Sequence, residues 1–119
     1  MPAKTVGRIT SRAAFAEVQR SRARGASGPV RAVFVPADET ATGVFPQVGY
    51  AIGRRCGTAV VRNRLRRRAR AVVREHATSL PRGAFVVRLD PAAAGLSAAR
   101  FRHHVAEALH RAGEAANRP

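Results

Sequence analysis

The sequence predicts an α+β sandwich, and three observations predict it. Short β-branched runs at 30–36, 47–53 and 84–90 alternate as strands do. Two longer segments carry apolar residues at spacings of three and four, the pattern of helices with one buried face. A chain of 119 residues with one cysteine is large enough to close a core as a single domain, without a disulfide. Strands and helices do not strictly alternate, so the helices are expected mainly on one side of the sheet.

The elements follow in the order α-β-β-β-α-β-α. Ser11 is placed to cap a helix reaching about Arg20, with Phe15 and Val18 on one face. The glycine-containing RARGASGP suits a short edge strand or a loop, and VRAVFVP, 30–36, reads as a strand ending at Pro36. ADETATGVFPQ then looks like an exposed hairpin connection before the strand 47–53. Thr58 caps a helix to about His76, whose core stripe is Val61, Leu65, Ala69 and Val72. PRG announces a strand over 84–90, DPAAAGLS is a turn, and Ser97 opens a last helix with Phe101, Val105, Leu109 and Ala112 on one face. The whole chain, 1–119, reads as one domain with an ordered core over about 8–113 and frayed ends at 1–7 and about 115–119.

Charge is the dominant signal. Basic residues number 22 against 7 acidic ones, for a net +15, and all but Lys4 are arginine. Such a chain attracts polyanions in a salt-dependent way, which puts nucleic acid first among partners and an anionic membrane second. The charge is also concentrated. AVVRNRLRRRAR, 59–70, holds six arginines, and no acid occurs between Thr40 and Arg74. Arginines one helical turn apart repel each other by a few tenths of a kcal/mol, so an external anion is expected to balance them. A membrane fits poorly, because the opposite stripe is Val, Leu and Ala with no aromatic anchor. The helix also lacks a helix-turn-helix setting for a DNA groove, whereas RNA is read through phosphates, 2′-hydroxyls and stacked bases. Phe15, Phe34, Phe45 and Tyr50 are the aromatics available for stacking, and only one or two are expected to be exposed.

Protein catalysis finds little support. His76, His103, His104 and His110 show no metal-ligand spacing with Cys56 or with paired carboxylates, and the seven acids are scattered. GRRCG lacks a Walker lysine, and Cys56 reads as a small buried or turn cysteine. The start, MPAKTVGRITSRAAF, has no apolar signal core; its acid-free look resembles a transit peptide, but Glu17 and Val18 continue the pattern of an ordinary basic helix.

The run VGYAIGRRCGTAVVRNRLRRRAR resembles the signature of the bacterial ribonuclease P protein subunit: a V-G strand, two basic residues, a glycine turn, then A-V-x-R-N-R-hydrophobic-basic-R. Arg8, Ile9, Phe15 and Val18 resemble the family's opening helix, and RGAFVVRLDPAAAGLSAA its last strand and turn. The resemblance implies an α/β sandwich with a left-handed β-α-β crossover. It implies that Arg54, Arg55, Arg62, Asn63, Arg64, Arg66, Arg67 and Arg70 face the catalytic RNA. It also implies a cleft between the first helix and the open sheet face, at Phe15, Val18 and Val35, for the single-stranded 5′ leader of precursor tRNA. Gln19 and Val35 stand where many members carry aromatics, and Ala51 and Gly53 where Ser or Thr is frequent. Hydrolysis is expected on the RNA with Mg2+ held mainly there, with one cytoplasmic, monomeric protein per RNA and no membrane. Two rivals remain: a general RNA-binding protein, which would tolerate loss of Asn63, and a nuclease with its own active site.

Overall fold

Three hydroxyls set the helix starts. In a computed structural model that describes residues 6–9, 11–37 and 46–117, the Oγ atoms of Ser11 and Ser97 accept from the amides of Ala14 and Arg100. Thr58 Oγ1 accepts from the amide of Val61 at 3.3 Å. Each bond satisfies one of the amides that a first helical turn leaves without a partner. The elements are β1 (Gly7–Arg8), α1 (Arg12–Gln19), β2 (Ala23–Ser27), β3 (Val30–Pro36), β4 (Gln47–Ile52), α2 (Ala59–Glu75), β5 (Gly83–Leu89) and α3 (Ala98–Ala115), with 3-10 turns at Arg54–Cys56 and Pro91–Gly95.

The strands form one mixed sheet in the order β1-β4-β5-β3-β2. β2, β3 and β5 pair antiparallel in turn, while β4 lies parallel to β5 and β1 parallel to β4. β4, α2 and β5 therefore make the expected β-α-β crossover, closed by adjacent parallel strands. The uncertain RARGASGP segment is an edge strand, joined to β3 by a tight turn at Gly28, whose φ of 54° suits glycine.

Alternation sends each strand's residues to two different cores. Ala32, Phe34, Val48, Phe85, Val87 and Leu89 face α2 and α3, where they meet Leu65, Val72, Phe101 and Leu109. The Phe34 and Phe85 rings stack at 4.2 Å in the middle of this layer. On the other face Val33 and Val86 meet Val18 of α1, with Phe15, Ile9 and Val35 around them. The large layer is thus on one side, as predicted, and one short helix half-covers the other. α3 approaches β2 so closely that a Cβ on Gly25 would lie 2.4 Å from the Ala108 carbonyl oxygen. Arg111 ties down the same edge by donating to the Ala26 carbonyl at 2.6 Å.

Two expectations need amendment. Residue 7 is not frayed: Gly7 pairs with Gln47 in β1, and its amide donates to the Pro46 carbonyl at 2.8 Å. A two-residue strand has too few positions for any period to show, and tertiary pairing alone defines it. The connection from β3 to β4 is not a hairpin, because β5 lies between those two strands in the sheet; its residues 38–45, Phe45 among them, lie outside the described residues.

Candidate nucleic-acid interface

The arginine helix turns Leu65, Ala69, Val72 and Val73 into the core and its guanidinium groups away from it. Asn63, Arg64, Arg67 and Arg74 are exposed, while Arg62, Arg66 and Arg70 are half-buried along one flank. Arg54 and Arg55, in the 3-10 turn that leads into the helix, are exposed. Among the described residues no carboxylate pairs with any arginine between 54 and 74. Glu75, the acid that ends the run, is engaged by Arg102 of α3 at 3.1 Å.

Three of these side chains have local assignments. The Arg66 guanidinium donates to Asn63 Oδ1 at 2.8 Å, so the asparagine holds the arginine one turn ahead of it. Arg68, at the border of the helix face, lies over the Phe101 ring at 4.4 Å and packs rather than projects. Arg62 Nε is shielded from solvent and has no partner within the described residues.

The opposite sheet face supplies the cleft. Phe15 and Val35 are half-buried on it, both packed against the smaller core. Val18 is only 3% exposed, so it holds α1 against the sheet and offers no surface of its own. Phe15 sits against Gly49: a Cβ there would come within 2.8 Å of the ring. The missing side chain is what seats the aromatic.

The cleft and the arginine helix meet at the β1–β4 edge. A pocket of about 480 Å3 is bordered by Ile9, Phe15 and Gly49 on one side and by Tyr50, Arg66, Arg70 and Arg74 on the other. Arg70 lies 5.8 Å from the Tyr50 ring centroid. Burial pushes the Tyr50 hydroxyl up to about 12, although Arg70 and Arg74 favour its ionised form. Arg74 had no assigned role in the sequence, yet Arg66, Arg70 and Arg74 recur at spacing four, which places them in one row.

Of the other residues singled out, Phe34 is buried and Tyr50 half-buried, so among the described residues Phe15 and Tyr50 are the aromatics left near a surface. Cys56 is buried and donates to the Leu89 carbonyl at 3.3 Å. His104 and Ser27 share a 2.7 Å hydrogen bond that joins α3 to β2, and His110 bonds to Glu114. Among the described residues no three His, Cys, Asp or Glu converge as metal ligands do.

Fold and surface define a small basic α+β domain built around one arginine-studded helix, with a half-open sheet behind it. Residues 3–113 match the family model for ribonuclease P. The ribonuclease P protein component of a Nocardioides species is 37% identical over 107 residues, covering 89% of this chain and 91% of that one. That of Symbiobacterium thermophilum is 37% identical over 111 residues, covering 92% and 94%. The RNase P protein structures of Staphylococcus aureus (TM-score 0.75, 17% identity, 87% and 92% covered) and Thermotoga maritima (TM-score 0.74, 19%, 87% and 96%) share the fold. The chain belongs to the ribonuclease P protein family, the protein components of that endoribonuclease.

Proposed function

We propose that this protein is the RNA-binding subunit of a bacterial ribonuclease P, and that it assists a catalytic RNA in removing the 5′ leader from precursor tRNA. The observation that carries the reading is one continuous surface: an arginine face without internal counter-charges, joined through a pocket to an aromatic cleft. Each guanidinium forks two hydrogen bonds to a phosphate, and each neutralised phosphate releases counterions. Arg54, Arg55, Arg62, Arg64, Arg66, Arg67 and Arg70 are the contacts to the catalytic RNA, with Asn63 orienting Arg66. Phe15 and Val35 line the leader cleft, where stacking on an aromatic contributes about 1–3 kcal/mol per base.

The protein's part is to bind and position. Magnesium prefers hard oxygen donors, and the pocket that joins the helix to the cleft is lined by guanidinium groups and no carboxylate. The ion is therefore assigned to the RNA, whose phosphates supply such donors, and with it the hydrolytic chemistry. One protein per RNA, working in the cytoplasm, completes the reading. No helix of the described residues is long and apolar enough to cross a membrane.

Reconstitution tests this. The protein is mixed with a bacterial ribonuclease P RNA at low magnesium, and leader removal from a precursor tRNA is followed beside protein-alone and RNA-alone controls. Cleavage only in the mixture is expected. A folded protein that binds RNA without stimulating cleavage would leave a general RNA-binding role, and cleavage by protein alone would place the chemistry on the protein.

A further inference from the structure

Two arginines outside the interface above face each other across the sheet. Arg31 of β3 and Arg88 of β5 are register partners, and Arg88 is in turn opposite Ala51 of β4. By alternation both point to the α1 side of the sheet, away from α2 and α3. The preceding row, Val33, Val86 and Gly49, lies beneath Val18 and Phe15. α1 stops there, and both arginines are exposed.

Such a pair is unfavourable for the protein alone. Side chains directly opposite on adjacent strands have Cβ atoms about 5 Å apart, and like charges there destabilise the sheet. The nearest compensation is Asp90, 3.9 Å from Arg31, but both side chains are largely exposed, 64% and 44%, so the ion pair contributes little. No carboxylate among the described residues pairs with Arg88. Beside the pair is an open pocket of about 360 Å3, lined by Arg55 and Arg88 with Gly53, Asp90 and Pro91. A Cβ at Gly53 would meet nothing within 4 Å, so the approach along β4 is clear.

We infer that Arg31, Arg88 and Arg55 form a second phosphate site for single-stranded RNA, a continuation of the leader cleft beyond Phe15. The inference rests on the leader reading above. From Gly49, where Phe15 sits, to Gly53 is four residues along a strand, about 13 Å. An RNA strand whose base stacks at Phe15 and whose backbone follows β4 passes Ala51, level with Arg88 and Arg31 in the register, and then Gly53, beside Arg55. Arg31 and Arg88 lie on the opposite sheet face from α2, so they act on the leader and not through the α2 interface, while Arg55, in the turn before α2, borders both surfaces.

The test uses the reconstituted holoenzyme and precursor tRNAs with leaders lengthened one nucleotide at a time, with mature tRNA as the leaderless control. Wild-type affinity is expected to rise again when the leader becomes long enough to reach the pair. Arg88→Ala should lose that last gain, about fivefold, and lower the salt slope for long leaders by about 0.7. The free variant should melt no lower than wild type, because a like-charge contact has gone. Arg88→Lys should recover part of the gain, since a point charge still meets a phosphate. Should Arg88→Ala fail to fold, Arg31→Ala makes the same test from the other strand. A variant that keeps the full length-dependent gain overturns the second site and leaves the leader reading standing. A wild-type protein with no leader-dependent gain at any length overturns both.

Discussion

Replacing Asn63 by alanine should strengthen the fold and weaken RNA binding. Asn63 is exposed on α2, and its one described side-chain bond is the 2.8 Å contact to Arg66. An exposed bond of this kind contributes at most about 0.5 kcal/mol to stability. Alanine is the better helix former by about 0.6 kcal/mol. The balance runs from about 0.1 to about 0.6 kcal/mol in favour of the variant, a rise of at most about 2–3 °C in Tm. Binding responds differently. With Asn63 gone the Arg66 side chain must be ordered by the RNA itself, and a lost charged hydrogen-bond geometry is worth about 1.5 kcal/mol, roughly tenfold in Kd. Thermal melts of the free protein and titration of a ribonuclease P RNA at fixed salt measure the two halves separately. Asn63→Asp sharpens the comparison, because it keeps an acceptor for Arg66 but sets a negative charge on the RNA side, and so should bind worse than the alanine variant. Wild-type affinity in Asn63→Ala would refute the reasoning and return the helix to a general charge patch.

Three further outcomes follow from the packing. Gly25→Ala should destabilise the protein by about 1–3 kcal/mol in urea unfolding, because its Cβ meets backbone atoms of α3 at 2.4 and 2.5 Å that cannot swing aside. Gly49→Ala drives a methyl group into the Phe15 ring at 2.8 Å; precursor tRNA should lose more affinity than mature tRNA, and an unchanged ratio would remove Phe15 from the cleft. Tyr50 is the chain's single tyrosine and there is no tryptophan, so tyrosinate absorbance reports it alone. Its midpoint should lie near 12 instead of 10, because burial favours the neutral hydroxyl. A folded-state value above the unfolded one means that this contribution is whole below pH 10 and fades as pH rises towards 12, so Tyr50→Phe should flatten that part of the stability curve.

Much of this protein was legible in its sequence because the relevant physics is local. Ser11, Thr58 and Ser97 are caps wherever a helix follows them, and the stripe Phe101, Val105, Leu109 and Ala112 is buried as its spacing requires. The strand 30–36 ends at Pro36 as read. The charge of α2 and its lack of acids needed no coordinates, and the border position of Arg68 followed from helical angle alone. Val18 was less legible: its spacing put it on the face of Phe15, but only the packing showed that it is covered.

What the tertiary structure decided concerns residues far apart in the chain. β1 exists only because Gln47 and Val48 are there to pair with it. The aromatic cleft and the arginine helix become one surface only where β4 brings Gly49 to Phe15 and Tyr50 to Arg70. Arg31 and Arg88, 57 residues apart in number, become neighbours through strand register. Sequence alone determined the longer elements, the faces they bury and the chemistry they carry, since caps and apolar periods act within a turn or two. Which of those faces meet depended on sheet order, a free-energy choice made by the whole core at once.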